Sequence, residues 1–184
     1  MLRGGTGGSP PEEGMDVSEP LVAWAEDCVV RGDVDLEDGR LSDVVNALDL
    51  VTFSSATLEA LDDGRRVDVG ELEVDRRDLH LIEVSGRRGD PARRLRTVEE
   101  RVVLEVGPFT VTGNLHRPPN TPPMAALARP ARFLPVTDAA FQHGDDAPAL
   151  HRDVLLVNRE RIATSRVVLQ DHARSEPWEG AAPA

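Results

Sequence analysis

Lysine and tyrosine are missing altogether from this chain of 184 residues, and all 21 of its basic residues are arginine. Without lysine there is no Schiff base, no pyridoxal-phosphate anchor and no phosphate-loop lysine, and no G-x-x-x-x-G-K-[ST] string occurs. Arginine in its place, with abundant Ala, Val, Asp and Gly, marks the codon bias of a GC-rich genome rather than a function. Cys28 is the single cysteine, which excludes an intramolecular disulfide and any cluster of cysteine ligands. Aromatic residues make up 3% of the chain against 40% apolar residues in all, so its core must be aliphatic. No run reaches the ~18 apolar residues of a membrane span, and the opening MLRGGTGGSPPEEG lacks the apolar centre of a secretion signal. A cytoplasmic location, no membrane span and no cofactor are the resulting expectations.

The formal net charge is −12, which argues against a nucleic-acid partner, because phosphate contacts need a basic face that releases counterions. The charge is unevenly spread. Residues 1–84 carry 7 Arg against 21 acidic residues, net −14, and residues 85–184 carry 14 Arg against 12, net +2. A chain polarised in this way can dock its halves together or associate head to tail, with the field steering encounters.

Residues 1–19 are rich in Gly, Pro, Ser and Glu and are expected to form a disordered tail. Leu21–Val30 opens the ordered region as a short helix or a strand, with Trp24 as core or edge packing. The alternation in VVRGDVDL predicts a strand with Val34 and Leu36 on one face, ending at a Glu37-Asp38-Gly39 turn. Leu41, Val44, Val45 and Leu48 recur at helical spacing, and Ser42 or Asp43 can cap that helix. Val51–Leu61 predicts a strand, Asp62-Asp63-Gly64-Arg65 a hairpin turn, Val67–Val74 a returning strand and Asp78–Val84 another. Residues 85–97 read as an arginine-rich linker or loop. Beyond it come two strands meeting at Gly107-Pro108, an irregular proline-rich crossover over 117–130 with at most a turn or two of helix at Met124–Leu127, and strands at Phe133–Phe141, Asp153–Val157 and Ile162–Leu169. Residues 170–184 read as a flexible tail.

The two halves follow a similar order. Gly32-x-Val34-x-Leu36 parallels Gly113-x-Leu115, Leu50–Leu58 parallels Phe133–Phe141, and Asp78–Ile82 parallels Asp153–Val157, at offsets of 81, 83 and 75. The expected fold is therefore mainly β: two related small antiparallel units, 20–84 and 98–169, with one or two short helices, arranged as tandem small barrels or a shared sandwich. Arg40-Leu41-Ser42-Asp43 with Asn46, and Phe133-Leu134-Pro135-Val136-Thr137-Asp138-Ala139 followed by Asp153–Ile162, resemble the pattern of a group of small bacterial β-rich domains of unknown function. The resemblance spans most of residues 29–165. It implies a fold type and supplies no mechanism. The second half lacks R-L-S-D, and the first has Ser54-Ser55-Ala56 where the group has T-D-A.

Two clusters could carry chemistry. Arg40, Ser42, Asp43 and Asn46 form a polar head in which Ser42 and Asn46 share a helix face, either as a ligand or partner site joined by His116 and Asp138 or as caps of a tight crossover. His143, Asp145, Asp146, His151 and Asp153 put imidazole and carboxylate groups in one loop, at a spacing that matches no metal signature. No G-x-S-x-G elbow surrounds Ser42, Cys28 reads as an inert buried thiol, and His80 reads as a surface-facing strand residue. Arg87, Arg88, Arg93, Arg94 and Arg96 read as a solvated loop or a dock for the acidic half. The reading that follows is a non-catalytic binding or assembly module acting through a protein partner or self-association. The alternative is a small-ligand sensor or enzyme with a site between the units, and an RNA-binding small barrel comes third.

Overall fold

The computed structural model describes residues 18–36, 40–84, 96–145 and 147–168. Its strands are β1 (Ser18–Trp24), β2 (Cys28–Asp35), β3 (Leu50–Ala60), β4 (Arg66–Asp75), β5 (Leu81–Glu83), β6 (Val98–Val106), β7 (Phe109–Arg117), β8 (Phe133–His143), β9 (Leu150–Asn158) and β10 (Ile162–Val167). Helix α1 (Leu41–Ala47) lies between β2 and β3, and 3-10 turns occupy Ala125–Ala128 and Arg159–Arg161. All ten strands join one antiparallel sheet in the order β10-β6-β7-β8-β9-β5-β1-β2-β3-β4.

The fold is thus mainly β, but the sheet is open rather than closed into barrels. A barrel over the first half would need β5 to close on β4. Instead β5 pairs with β1 on one side and with β9 on the other, Leu81 opposite Val157 and Glu83 opposite Leu155. Within the first half the strand order is β5-β1-β2-β3-β4, and within the second it is β10-β6-β7-β8-β9, the same sequence of positions. Asp153–Val157 lies in β9, the fourth strand of its half, whereas Leu81 and Ile82 lie in the fifth of theirs, so the offset of 75 aligned strands of different rank.

Two cores lie on opposite faces of the shared centre. Neighbouring residues in a strand point to opposite faces, and four strands divide their side chains in this way. Trp24, Val29, Leu81, Leu155 and Val157 pack with β6–β8 residues such as Leu104, Phe109 and Phe141. Ala23, Val30, Ile82 and Leu156 pack with Val51 and Phe53 of β3, Leu41 and Val45 of α1, and Phe133. The sheet must curl to do this. Trp24 and Phe141 lie on β1 and β8, three strand spacings of about 4.8 Å apart in a flat sheet, yet their rings meet edge to face with centroids 4.8 Å apart.

Each half bends at a glycine. At Gly32 the β2–β3 register shifts, and at Gly113 the β7–β8 register shifts. A Cβ on Gly32 would stand 2.7 Å from Ser54 O, and one on Gly113 would overlap Val136 Cγ1 and stand 3.1 Å from Thr137 O. The residues opposite, Ser55 (φ 52°) and Asp138 (φ 47°), both take left-handed backbone conformations, so each crowded crossing is a bulge that deepens the local bend.

Several expectations change at this level. The first strand begins at Ser18, inside the stretch expected to be a tail. The helix ends at Ala47, and its N-cap is Arg40 with no side-chain cap: Ser42 Oγ reaches Asp43 Oδ1 at 3.5 Å instead. The Glu37-Asp38-Gly39 turn, the segment 85–95 and residues 170–184 lie outside the described residues.

Candidate functional site

The six residues singled out from the sequence fall into two groups. Arg40, Ser42 and Asp43 stand at the start of α1 with Asn46 one turn on. Asn46 Nδ2 donates to Ser42 O at 2.7 Å and to Phe133 O at 3.2 Å, and Asn46 Oδ1 accepts the Phe133 backbone N–H at 2.9 Å. One side-chain amide thus satisfies both backbone groups of the residue that opens β8, 87 positions away. Arg76 Nη1 donates to Asn46 O at 2.6 Å and Nη2 to Asp49 Oδ1 at 2.8 Å, tying the end of the helix to the β4–β5 turn.

His116 and Asp138 belong to the β7–β8 crossing. His116 lies between Thr97 Oγ1, 3.2 Å from Nδ1, and Thr137 Oγ1, 2.8 Å from Nε2. Asp138 takes Arg101 Nη1 on both its carbonyl (3.0 Å) and its carboxylate (2.6 Å), while the same guanidinium approaches Asn114 Oδ1 at 3.4 Å. This arginine stabilises the left-handed Asp138 backbone from below the bulge. Among the described residues, Asn46 shares no hydrogen-bond partner with His116 or Asp138. Chemically, Asn46 of the first group clamps α1 to β8 and the second group braces a bulge.

Among the described residues no three or more of His, Cys, Asp and Glu gather as metal ligands. His143 ends β8 with its ring 5.5 Å from that of Phe109, while His151 and Asp153 lie on β9; Asp146 is outside the described residues. A shallow cavity of about 410 Å³ is lined by Glu26, Asp27, Ala60, Leu61, Asp62 and His143, at the hairpin tips of both halves. Cys28 is half-buried, and burial, with Asp27 beside it, raises its pKa, so the thiolate nucleophile is suppressed.

His80 departs furthest from expectation. It is 1% exposed, packed edge to face on Phe109 at 5.9 Å, with the Gly107 backbone against its ring. Burial lowers its pKa from 6.5, opposed by the Glu26 carboxylate 3.5 Å from Nε2. Two further buried polar groups went unread in the sequence. Asn158, fully buried, donates to Leu79 O (2.7 Å) and Arg76 O (3.3 Å) and accepts from Glu160 N (3.1 Å). Glu100 Oε2 accepts the backbone N–H of Met124 at 2.7 Å, anchoring the proline-rich crossover beside Arg117. The one signal for Asn158 was its position between a buried strand and a turn, which suits a capping amide. Neither His80 nor Glu100 has such a signal.

No family model, no curated protein and no solved structure matches the chain. None of the described helices is long and apolar enough to cross a membrane.

Proposed function

We propose that the chain is a non-catalytic binding and assembly module of the cytoplasm, built from two related five-stranded units, and that it meets a protein partner through the edges of its sheet. The observation that carries this reading is the openness of the sheet: β4 and β10 each have one paired side, and no described strand occupies the other. Such an edge presents a row of backbone donors and acceptors suited to strand addition. Of the polar side chains that a catalytic reading would need, Asn46 ties the two halves together, His116 and Asp138 brace the β7–β8 bulge, and Ser42 Oγ reaches Asp43. The proline-rich crossover, with exposed Pro118, Pro119, Pro122 and Pro123 held in place by Glu100, offers a second contact surface.

The relation between the halves is supported by backbone bonds repeated at one spacing. Arg76 N donates to Asp49 O, and 83 positions further along Arg159 N donates to Arg132 O. In the β4–β5 turn Arg77 N donates to Asp75 Oδ1, and its counterpart Glu160 N donates to Asn158 Oδ1. The test is affinity capture with the full chain. Partners bound by strand addition are retained by the parent protein and released from Glu73→Pro and Ser165→Pro, each of which removes one outward edge donor. Capture unaffected by both substitutions would sink the edge reading.

A further inference from the structure

We propose that copies of this chain join head to tail, β4 of one molecule pairing antiparallel with β10 of the next in the register that β9 and β5 use inside the chain. This names the partner of the edges described above and rests on that reading.

The internal junction shows what such a pairing requires. It is short: Leu81, Ile82 and Glu83 oppose Val157, Leu156 and Leu155, flanked by Asn158 N to His80 O at 2.8 Å and Val84 N to Val154 O at 3.4 Å. By strand order, β9 is the fourth strand of its half and β5 the fifth of the other. Among the described strands, the edges of the sheet are the other fourth strand, β4, and the other fifth strand, β10. A junction of one kind has therefore been made once within the chain, and its two complementary halves remain, one at each end.

The backbone polarity agrees. Arg76 N and Val168 N bond inward, to Asp49 O and Arg101 O. Donors alternate sides along a strand, so Glu73 and Asp75 on β4, and Ser165 and Val167 on β10, turn their N–H groups outward. The corresponding inter-strand donors of the internal junction are Leu156 and Asn158 on β9 and Ile82 and Val84 on β5. Placed in the same register, Glu73 faces Ser165 and Val74 faces Thr164.

Charge selects this pairing over β4 on β4. β4 carries Asp68, Glu71, Glu73 and Asp75 against Arg66 alone, and β10 carries Arg166 with no acidic residue. Two β4 edges would bring carboxylates together, whereas β4 on β10 would not. The outer junction also lacks the apolar pair Ile82–Leu156, having Ser165 and Glu73 in those places, so it is weaker than the inner one and concentration-dependent. A head-to-tail contact of this kind closes into a ring or runs on as a filament, according to the rotation per step.

Sedimentation velocity of the full chain across a wide concentration range tests this, with far-UV circular dichroism as the check on folding. The weight-average mass is expected to climb from that of one 20.0 kDa chain to multiples of it. Glu73→Pro alone and Ser165→Pro alone should each stay at one chain. Their mixture should stop at two chains, because each variant keeps the edge the other has lost. A parent protein that stays at one chain throughout overturns self-pairing while leaving capture of a different partner to decide the edge reading. Self-association of either proline variant alone overturns the β4–β10 assignment. If proline disturbs folding, cysteines at the facing positions give the same answer in a Cys28→Ala background: Glu73→Cys mixed with Ser165→Cys should form a disulfide between the two chains. A disulfide-linked dimer from either variant alone, or none from the mixture, refutes the register.

Discussion

A side chain at Gly32 or Gly113 has no room, because each glycine sits where a strand crosses the bulge of its neighbour. The Gly32 contact is with a backbone oxygen, which cannot turn aside as a flexible side chain can. Gly32→Ala and Gly113→Ala are each expected to lower stability by about 1–3 kcal/mol, the cost of overpacking a filled interior. Urea denaturation with unchanged slope would measure it, and a loss below a few tenths would show that the bulges adapt. His80 sets a different residue-scale property. Its folded pKa is depressed below 6.5 by burial, so the unfolded chain binds the proton more readily. Between those two values the unfolded state carries more protons, and stability rises with pH. Its contribution is fully present above 6.5 and is lost as pH falls through 6.5 toward the folded value. Denaturation midpoints measured from pH 8 down to about pH 5 should fall in this window for the parent, and His80→Gln should flatten that part of the slope. An equal slope in both proteins would move the cause to the carboxylates.

At the scale of elements, α1 is too short to persist by its own propensity and depends on what its ends grasp. Its cap uses no side chain, and its buried face consists of Leu41 and Val45. Asn46 supplies the remaining tether by bonding both backbone groups of Phe133. Asn46→Ala leaves a donor and an acceptor unpaired and should cost about 2–3 kcal/mol. Asn46→Asp should cost at least as much at neutral pH, since a carboxylate can still accept from Phe133 N–H but cannot donate to Ser42 O or Phe133 O. Amide exchange at Phe133, rising in both variants ahead of global unfolding, is the check. The sequence announced the helix and nearly every strand, because alternation, the Asp62-Asp63-Gly64-Arg65 and Gly107-Pro108 turns and the prolines of 117–130 are local signals. It did not announce what the helix holds, since Asn46 and Phe133 are far apart in the chain. His80 was misplaced for a related reason. Alternation identifies an outward residue only when one face of the strand is wet, and β5, between β1 and β9, has both faces covered, so Leu79, His80, Leu81 and Ile82 are all buried.

For the whole molecule, the consequence of sharing β1, β2, β5 and β9 between two cores is that neither half should unfold alone. Trp24 shows the coupling, because it belongs to the first half of the chain but packs in the core built by β6–β8. Leu156 and Phe133 do the reverse, entering the core of β3 and α1 from the second half. The junction is reinforced by Arg152 on Glu83 at 2.7 Å and by Arg161, which donates to Arg77 O at 2.7 Å and lies 3.3 Å from Asp78. Phe53→Ala opens a cavity in the core that Trp24 does not touch, at a cost of about 3–5 kcal/mol. If the sheet is one cooperative unit, that substitution should shift the Trp24 fluorescence transition as far as the far-UV circular dichroism transition, in a Trp178→Phe background where Trp24 is the sole reporter. If the halves were independent, the fluorescence midpoint would stay where it was while part of the circular dichroism signal moved. Coincident transitions would also mean that an edge contact made at β4 is felt at Trp24, because β4 and β1 belong to one continuous sheet.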